Sequence, residues 1–130
     1  MNTVVTIFQM LVRLCFVVLL VLGIAFWTGH GLSYIPLHMI VGIVLVVSLW
    51  FTSIIAATVR APIGLVIVGL IWGLIVIGLG MKQMILMPGP YHWVIQVLHL
   101  LVGMGAIGLN ERLAGFAREP LSDSATNGSN

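Results

Sequence analysis

Histidine is the residue type in this chain best able to do chemistry. There are four, His30, His38, His92 and His99. Two of them open the same short pattern, Leu37-His38-Met39-Ile40-Val41-Gly42 and Leu98-His99-Leu100-Leu101-Val102-Gly103, which share L-H-x-x-V-G. A glycine four residues after a histidine lies on the same helix face. It removes side-chain bulk where a flat group would press against the helix. The plainer alternative is that Gly42 and Gly103 are small residues at a helix contact. A lone histidine inside an apolar helix is most simply a hydrogen-bonding partner of a neighbouring helix. Two in matched patterns point instead to a shared ligand, because ionisable groups in apolar spans are costly and mark function.

Other chemistry is thin. No acidic residue precedes Glu111, so the apolar runs are expected to lack the carboxylates that serve proton relays and cation transport. No serine or cysteine stands at motif spacing from a histidine; Ser33 near His30 belongs to a loop. No phosphate loop is present, and the three or four close ligands that zinc requires are lacking. Met81, Met84 and Met87 follow an i, i+3, i+6 pattern; packing is the expectation, with thioether ligation of haem or copper as the alternative. Nothing here suggests a stand-alone enzyme. The single Cys15 cannot form an internal disulfide and is expected to face lipid or pack.

The elements that carry these residues follow from hydropathy. Of 130 residues, 61% are hydrophobic and 6% charged, too few polar groups to clothe a soluble fold that ordinarily carries about 25% charged residues. The net charge of +2 is dispersed and argues against a nucleic-acid partner. A bilayer core needs about 20 apolar residues per helix, and four runs satisfy this, over about 5–27, 37–57, 62–82 and 91–110. The first could pass for a signal peptide, but Arg13 sits late and no small-residue cleavage site follows, so it is kept as a mature helix. The expected fold is all-α, an integral membrane four-helix up-down bundle over residues 1–119. It reads as two repeated helical hairpins related by an axis along the membrane normal. Residues 120–130, rich in Ser, Asn and Gly, are expected to form a disordered polar tail.

The basic residues set the orientation. Arg13, Arg60, Arg112 and Arg118 fall to one side and Lys82 to the other, so the first side and both termini are expected to be cytoplasmic, in a bacterial inner membrane. Arg13 would snorkel to the near interface. Trp27, Tyr34, Tyr91 and Trp93 form an aromatic belt at the outer boundary, and Gly69 and Gly73 form a G-x-x-x-G expected to pack helices. All four histidines then lie in the outer half. In an up-down bundle the second and fourth helices run parallel and can face each other across the core, letting two imidazoles approach one metal from opposite sides.

Depth is the weak point of the pairing. His38 stands ~33 Å along a helix from Arg60, whereas His99 stands ~20 Å from Arg112. The two depths match if the third helix continues to about Met87 and the fourth spends its first turns outside the core. Otherwise His92, ~10 Å further out on nearly the same face, replaces His99 as the ligand.

In outline the chain resembles small membrane b-type cytochromes of the cytochrome b561-like kind, helical bundles whose histidines, often in an H-x-x-x-G setting, bind haem. The matching pieces are His38 to Gly42 and His99 to Gly103. The resemblance implies haem b held by His38 and His99, with Gly42 and Gly103 beside it. Diheme members place haems near both faces; this chain has no cytoplasmic-side histidine, so one haem near the outer face is expected. His30 and His92 would be solvated or would hydrogen-bond the haem propionates, with Lys82 adding charge pairing. A second haem on them is the alternative. The functional expectation is a cytochrome or haem-bearing subunit that transfers electrons near the outer face, with the bilayer, other membrane subunits of a redox complex and quinone as partners. Two other classes remain. One is an accessory subunit of a respiratory or photosynthetic complex, with a chlorophyll-type pigment or no cofactor. The other is a small channel, carrier or lipid-binding protein.

Overall fold

The computed structural model describes residues 2–118, and within them the chain forms four long helices and no strand. They are α1 (Asn2–Trp27), α2 (Ile35–Thr58), α3 (Ile63–Lys82) and α4 (His92–Arg118). All four are long and apolar enough to cross a membrane. The expected all-α four-helix membrane bundle is therefore the observed fold. The tail assigned to residues 120–130 lies outside the described residues.

The breaks fall where local chemistry demands them. A short 3-10 turn, Leu32–Tyr34, leads into α2, whose second residue is Pro36; proline fits the first helical turn because its missing N–H would have no partner there. α2 ends in a Schellman-type turn. Ala61 N–H donates to Ala56 C=O at 3.1 Å, and Arg60 takes the left-handed conformation at φ 65°, a position usually given to glycine. Pro62 then precedes α3.

α3 ends where its apolar run was expected to end, without the extension needed to bring the two histidines level. It stops at Lys82 rather than near Met87, followed by one loose turn in which Ile85 and Leu86 N–H both donate to Lys82 C=O. Met87 adopts φ 50° directly ahead of Pro88, whose ring disfavours helical backbone in the preceding residue. Met84 and Met87 therefore lie beyond α3, so the i, i+3, i+6 spacing does not place the three methionines on one helix.

α4 runs longer than expected, to Arg118 instead of about residue 110. Its buried stripe continues through the charges: Val102, Ala106, Asn110, Leu113 and Ala117 recur at spacings of four, four, three and four, the period of one helix face. This extension draws Glu111 into the helical span, so the expectation that no carboxylate sits in the spans is corrected. Glu111 accepts two hydrogen bonds from Arg13, from Nε at 2.7 Å and from Nη2 at 2.8 Å, and a further bond from Gln9 Nε2. Arg13 thus ties α1 to α4 through a two-pronged ion pair instead of extending alone to the interface.

α2 packs against all three other helices, and α4 does too, whereas α1 and α3 scarcely meet. α2 and α4 accordingly occupy the short diagonal. The well-packed core lies toward the end of the bundle that carries the start of α1 and the end of α4, built from Val5, Val12, Leu45, Leu49, Leu113 and Ala114. Cys15 packs within it. Two indole joints lock the helices together. Trp50 Nε1–H donates to Leu70 C=O at 3.0 Å, and Trp72 Nε1–H donates to Val102 C=O at 2.8 Å. In both, a glycine three residues beyond the acceptor, Gly73 or Gly105, makes room for the indole. Gly69 admits Ser53 and Leu113 at similarly close range, so the G-x-x-x-G of α3 does pack helices. Trp27, Tyr34, Tyr91 and Trp93 are all about half exposed or more and border the same end of the bundle, as an aromatic belt requires.

Candidate cofactor site

At the end of the bundle that carries the α1–α2 and α3–α4 connections, the four helices part around a cavity of about 600 Å³, within the size range of small-molecule and cofactor pockets. All four helices line it. α1 contributes its C-terminal half from Phe16 to Trp27, α2 contributes His38 and Gly42, and α3 contributes Val76 to Met81. α4 contributes His92, Gln96, His99 and Gly103. The walls are apolar apart from the three histidines, Gln83 and Gln96.

His38 and His99 meet across this cavity, with ring centres 6.3 Å apart and planes inclined at 47°. The Nδ1 atom of each is buried with no hydrogen-bond partner, which weakens the reading of these residues as interhelical hydrogen-bonders. Two metal–nitrogen bonds of ~2 Å, with each ring centre ~1.2 Å behind its nitrogen, would set the centres of two imidazoles on one metal ~6.4 Å apart. The observed ring-centre separation of 6.3 Å is compatible with that distance.

The two histidines are neighbours, although the route expected to bring them level is not the one observed. α3 stops at Lys82, yet His99 rather than His92 is the residue beside His38. His38 is the fourth residue of α2 and His99 the eighth of α4. α4 therefore begins about one turn further from the histidine pair than α2, whereas the two helices run similarly far in the other direction, to Arg118 and Thr58; the mismatch arises because Arg112 lies within α4 and not at its end.

Glycines shape the cavity in two ways. A Cβ on Gly103 would meet nothing within 4 Å, and one on Gly42 would touch only Leu19 Cδ2 at 4.0 Å. Both positions border open space, as expected of a surface left flat for a ligand. Gly23 of α1 and Gly80 of α3 serve the histidines themselves: a Cβ there would lie 3.9 Å from His38 Cε1 and 3.3 Å from His99 Cε1, respectively. Each hairpin thus sets a glycine of its first helix against the histidine of its second, which extends the likeness between the two halves. Sequence reasoning missed Gly23 and Gly80 because they stand at different separations, 15 and 19 residues, from their histidines. Phe26 closes the α1 side, its ring centre 5.5 Å from that of His38.

The remaining candidates divide. His92 lines the cavity, but His30 and Lys82 do not. His30 is exposed in the loop after α1, where its Nδ1 lies 3.1 Å from Thr28 Oγ1. Met81 and Met84 border the cavity with most of their surface exposed. Gln83 and Gln96 carry polar side chains into the lining that the sequence did not mark. For Gln96 a signal existed, since it continues the helical stripe of His92 and His99 at spacings of four and three.

Among the described residues no group of three or more His, Cys, Asp or Glu side chains converges as metal ligands would. Two imidazoles fall short of a bare zinc site. His38 and His99 would be the residues to hold a metal that brings most of its own ligands. No protein family, curated protein or solved structure matches this chain.

Proposed function

We propose that this protein is a membrane b-type cytochrome, holding one haem between His38 and His99 in the outer half of the bundle and passing single electrons near that face. The observation that carries the reading is the facing imidazole pair, 6.3 Å between ring centres, in an apolar cavity bordered by Gly42 and Gly103. Haem would supply a one-electron change at iron. The chain's own residues would supply two neutral imidazoles, a low-dielectric enclosure and closed axial positions, which suit electron transfer and leave no site for oxygen chemistry.

The electron would come from the quinone pool or a membrane partner and leave to a one-electron acceptor outside. With short loops the bundle offers little docking surface of its own, so a larger redox complex is the natural setting. The arginine bias supports an inner-membrane orientation with both termini cytoplasmic. Reporter fusions after Arg60 and Arg118 should read cytoplasmic, and one near Gly89 external; an external signal after Arg118 ends that topology.

Absorption spectroscopy of the purified protein tests the cofactor. A low-spin haem spectrum with a reversible one-electron transition, reducible by quinol, is expected. His38→Ala and His99→Ala should each lose haem or turn it high-spin, while His30→Ala leaves the spectrum unchanged. A red or near-infrared pigment band, ready binding of carbon monoxide, or a low-spin spectrum that survives both replacements refutes the assignment.

A further inference from the structure

α4 arranges its cavity residues as one stripe. His92, Gln96, His99 and Gly103 recur at spacings of four, three and four, and all line the cavity. Moving outward from His99, Gln96 stands ~4.5 Å and His92 ~10.5 Å further along the helix. Gln83, in the turn that follows α3, lines the same cavity. The polar lining beyond the histidine pair thus consists of two amides and an imidazole, on the outward side. None of the lining residues is acidic. The nearest carboxylate along α4, Glu111, lies ~18 Å inward of His99 and is engaged by Arg13.

We infer that His92, Gln96 and Gln83 form a polar collar that binds the carboxylates of the ligand, so that a flat apolar macrocycle enters with its acidic edge toward the outer face. This rests on the reading of His38 and His99 as axial ligands. Carboxylates leaving water for a low-dielectric setting need hydrogen-bond donors. Glutamine Nε2 and an imidazole N–H donate, and neither brings a negative charge that would repel the ligand. The separation of 4.5–10.5 Å outward from His99 suits short acidic side chains at the rim of a porphyrin whose metal lies between the rings. The collar also selects a class. It favours a free-acid porphyrin over a macrocycle whose carboxylates are esterified, as in chlorophyll-type pigments. His30 and Lys82, outside the cavity lining, take no part.

The test titrates the full-length apoprotein with haem b and with its dimethyl ester, reading the low-spin Soret band. Wild type should bind the free acid about tenfold or more tightly than the diester, the effect of charge-assisted hydrogen bonds. His92→Leu/Gln96→Leu should bring the two affinities together by weakening the free acid alone, with the low-spin band preserved. Gln96→Glu, nearly isosteric, should also weaken the free acid and spare the diester, which keeps the test valid if the double variant folds poorly. A low-spin band in wild type with no preference for the free acid, or variants that keep the wild-type ratio, overturns the collar alone. No low-spin band with either haem overturns the histidine reading and the collar with it.

Discussion

Gly105→Ala, a change of one methyl group, should destabilise the bundle even though alanine is the better helix former. The added Cβ would lie 2.5 Å from Cζ2 of Trp72, 2.9 Å from Cε2 and 3.0 Å from Nε1. Comfortable carbon contacts lie at about 3.5–4.0 Å, so the indole must retreat by about 1 Å. It cannot do so freely, because its Nε1–H donates to Val102 C=O at 2.8 Å on the same helix as the new methyl. Overpacking of this kind costs about 1–3 kcal/mol, and a strained or lost indole hydrogen bond adds about 1 kcal/mol. The helix-propensity gain of alanine returns up to about 1 kcal/mol. The net expectation is a loss of about 1–3 kcal/mol, read as a lower midpoint of denaturant-induced unfolding in detergent micelles. Gly108→Ala is the internal control. It sits one turn along the same helix with nothing within 4 Å of its Cβ, and should be neutral or slightly stabilising. In a Trp72→Leu background the cost of Gly105→Ala should largely vanish. If Gly105→Ala matches or exceeds wild-type stability, or if its cost is undiminished without the indole, the joint between α3 and α4 does not work as described.

The cavity and the inner ion pair give two further expectations. Gly103→Leu points into open space, so helicity and unfolding midpoint should stay near wild type while haem affinity falls at least tenfold; unaltered haem binding would mean that the ligand does not use this surface. Glu111→Leu leaves Arg13 and Gln9 without their partner. Both side chains are partly exposed, at 46% and 34%, so the unfolding midpoint should fall only modestly, by the weaker worth of exposed pairs. Arg13→Leu/Glu111→Leu should recover much of that loss in the same unfolding assay, and an additive double mutant would show that the two charges do not act as a pair.

The sequence by itself determined the solvent of this protein and its element count. Apolar runs of about 20 residues, separated by breakers such as Pro62 and Pro88-Gly89-Pro90, leave a chain so poor in charge no other stable arrangement than membrane-length helices. The repeated L-H-x-x-V-G also singled out His38 and His99, and the structure brings those two together. Element ends were less legible. Glu111 and Arg112 read as the edge of the bilayer, yet α4 continues to Arg118 because its buried stripe goes on beneath them. Whether a charge marks a boundary or finds a partner depends on what the neighbouring helix offers, here Arg13 and Gln9 of α1, about 100 residues away in sequence. The same holds for the glycines. With 15 in the chain, composition could not say which give way to an indole, which face a histidine and which border the cavity. Those roles belong to pairs of helices, and only packing sets Gly80 against His99 or Gly105 against Trp72. The cavity itself is the clearest tertiary outcome. It lies where all four helices part around His38 and His99, an arrangement that periodicity along a single helix does not encode.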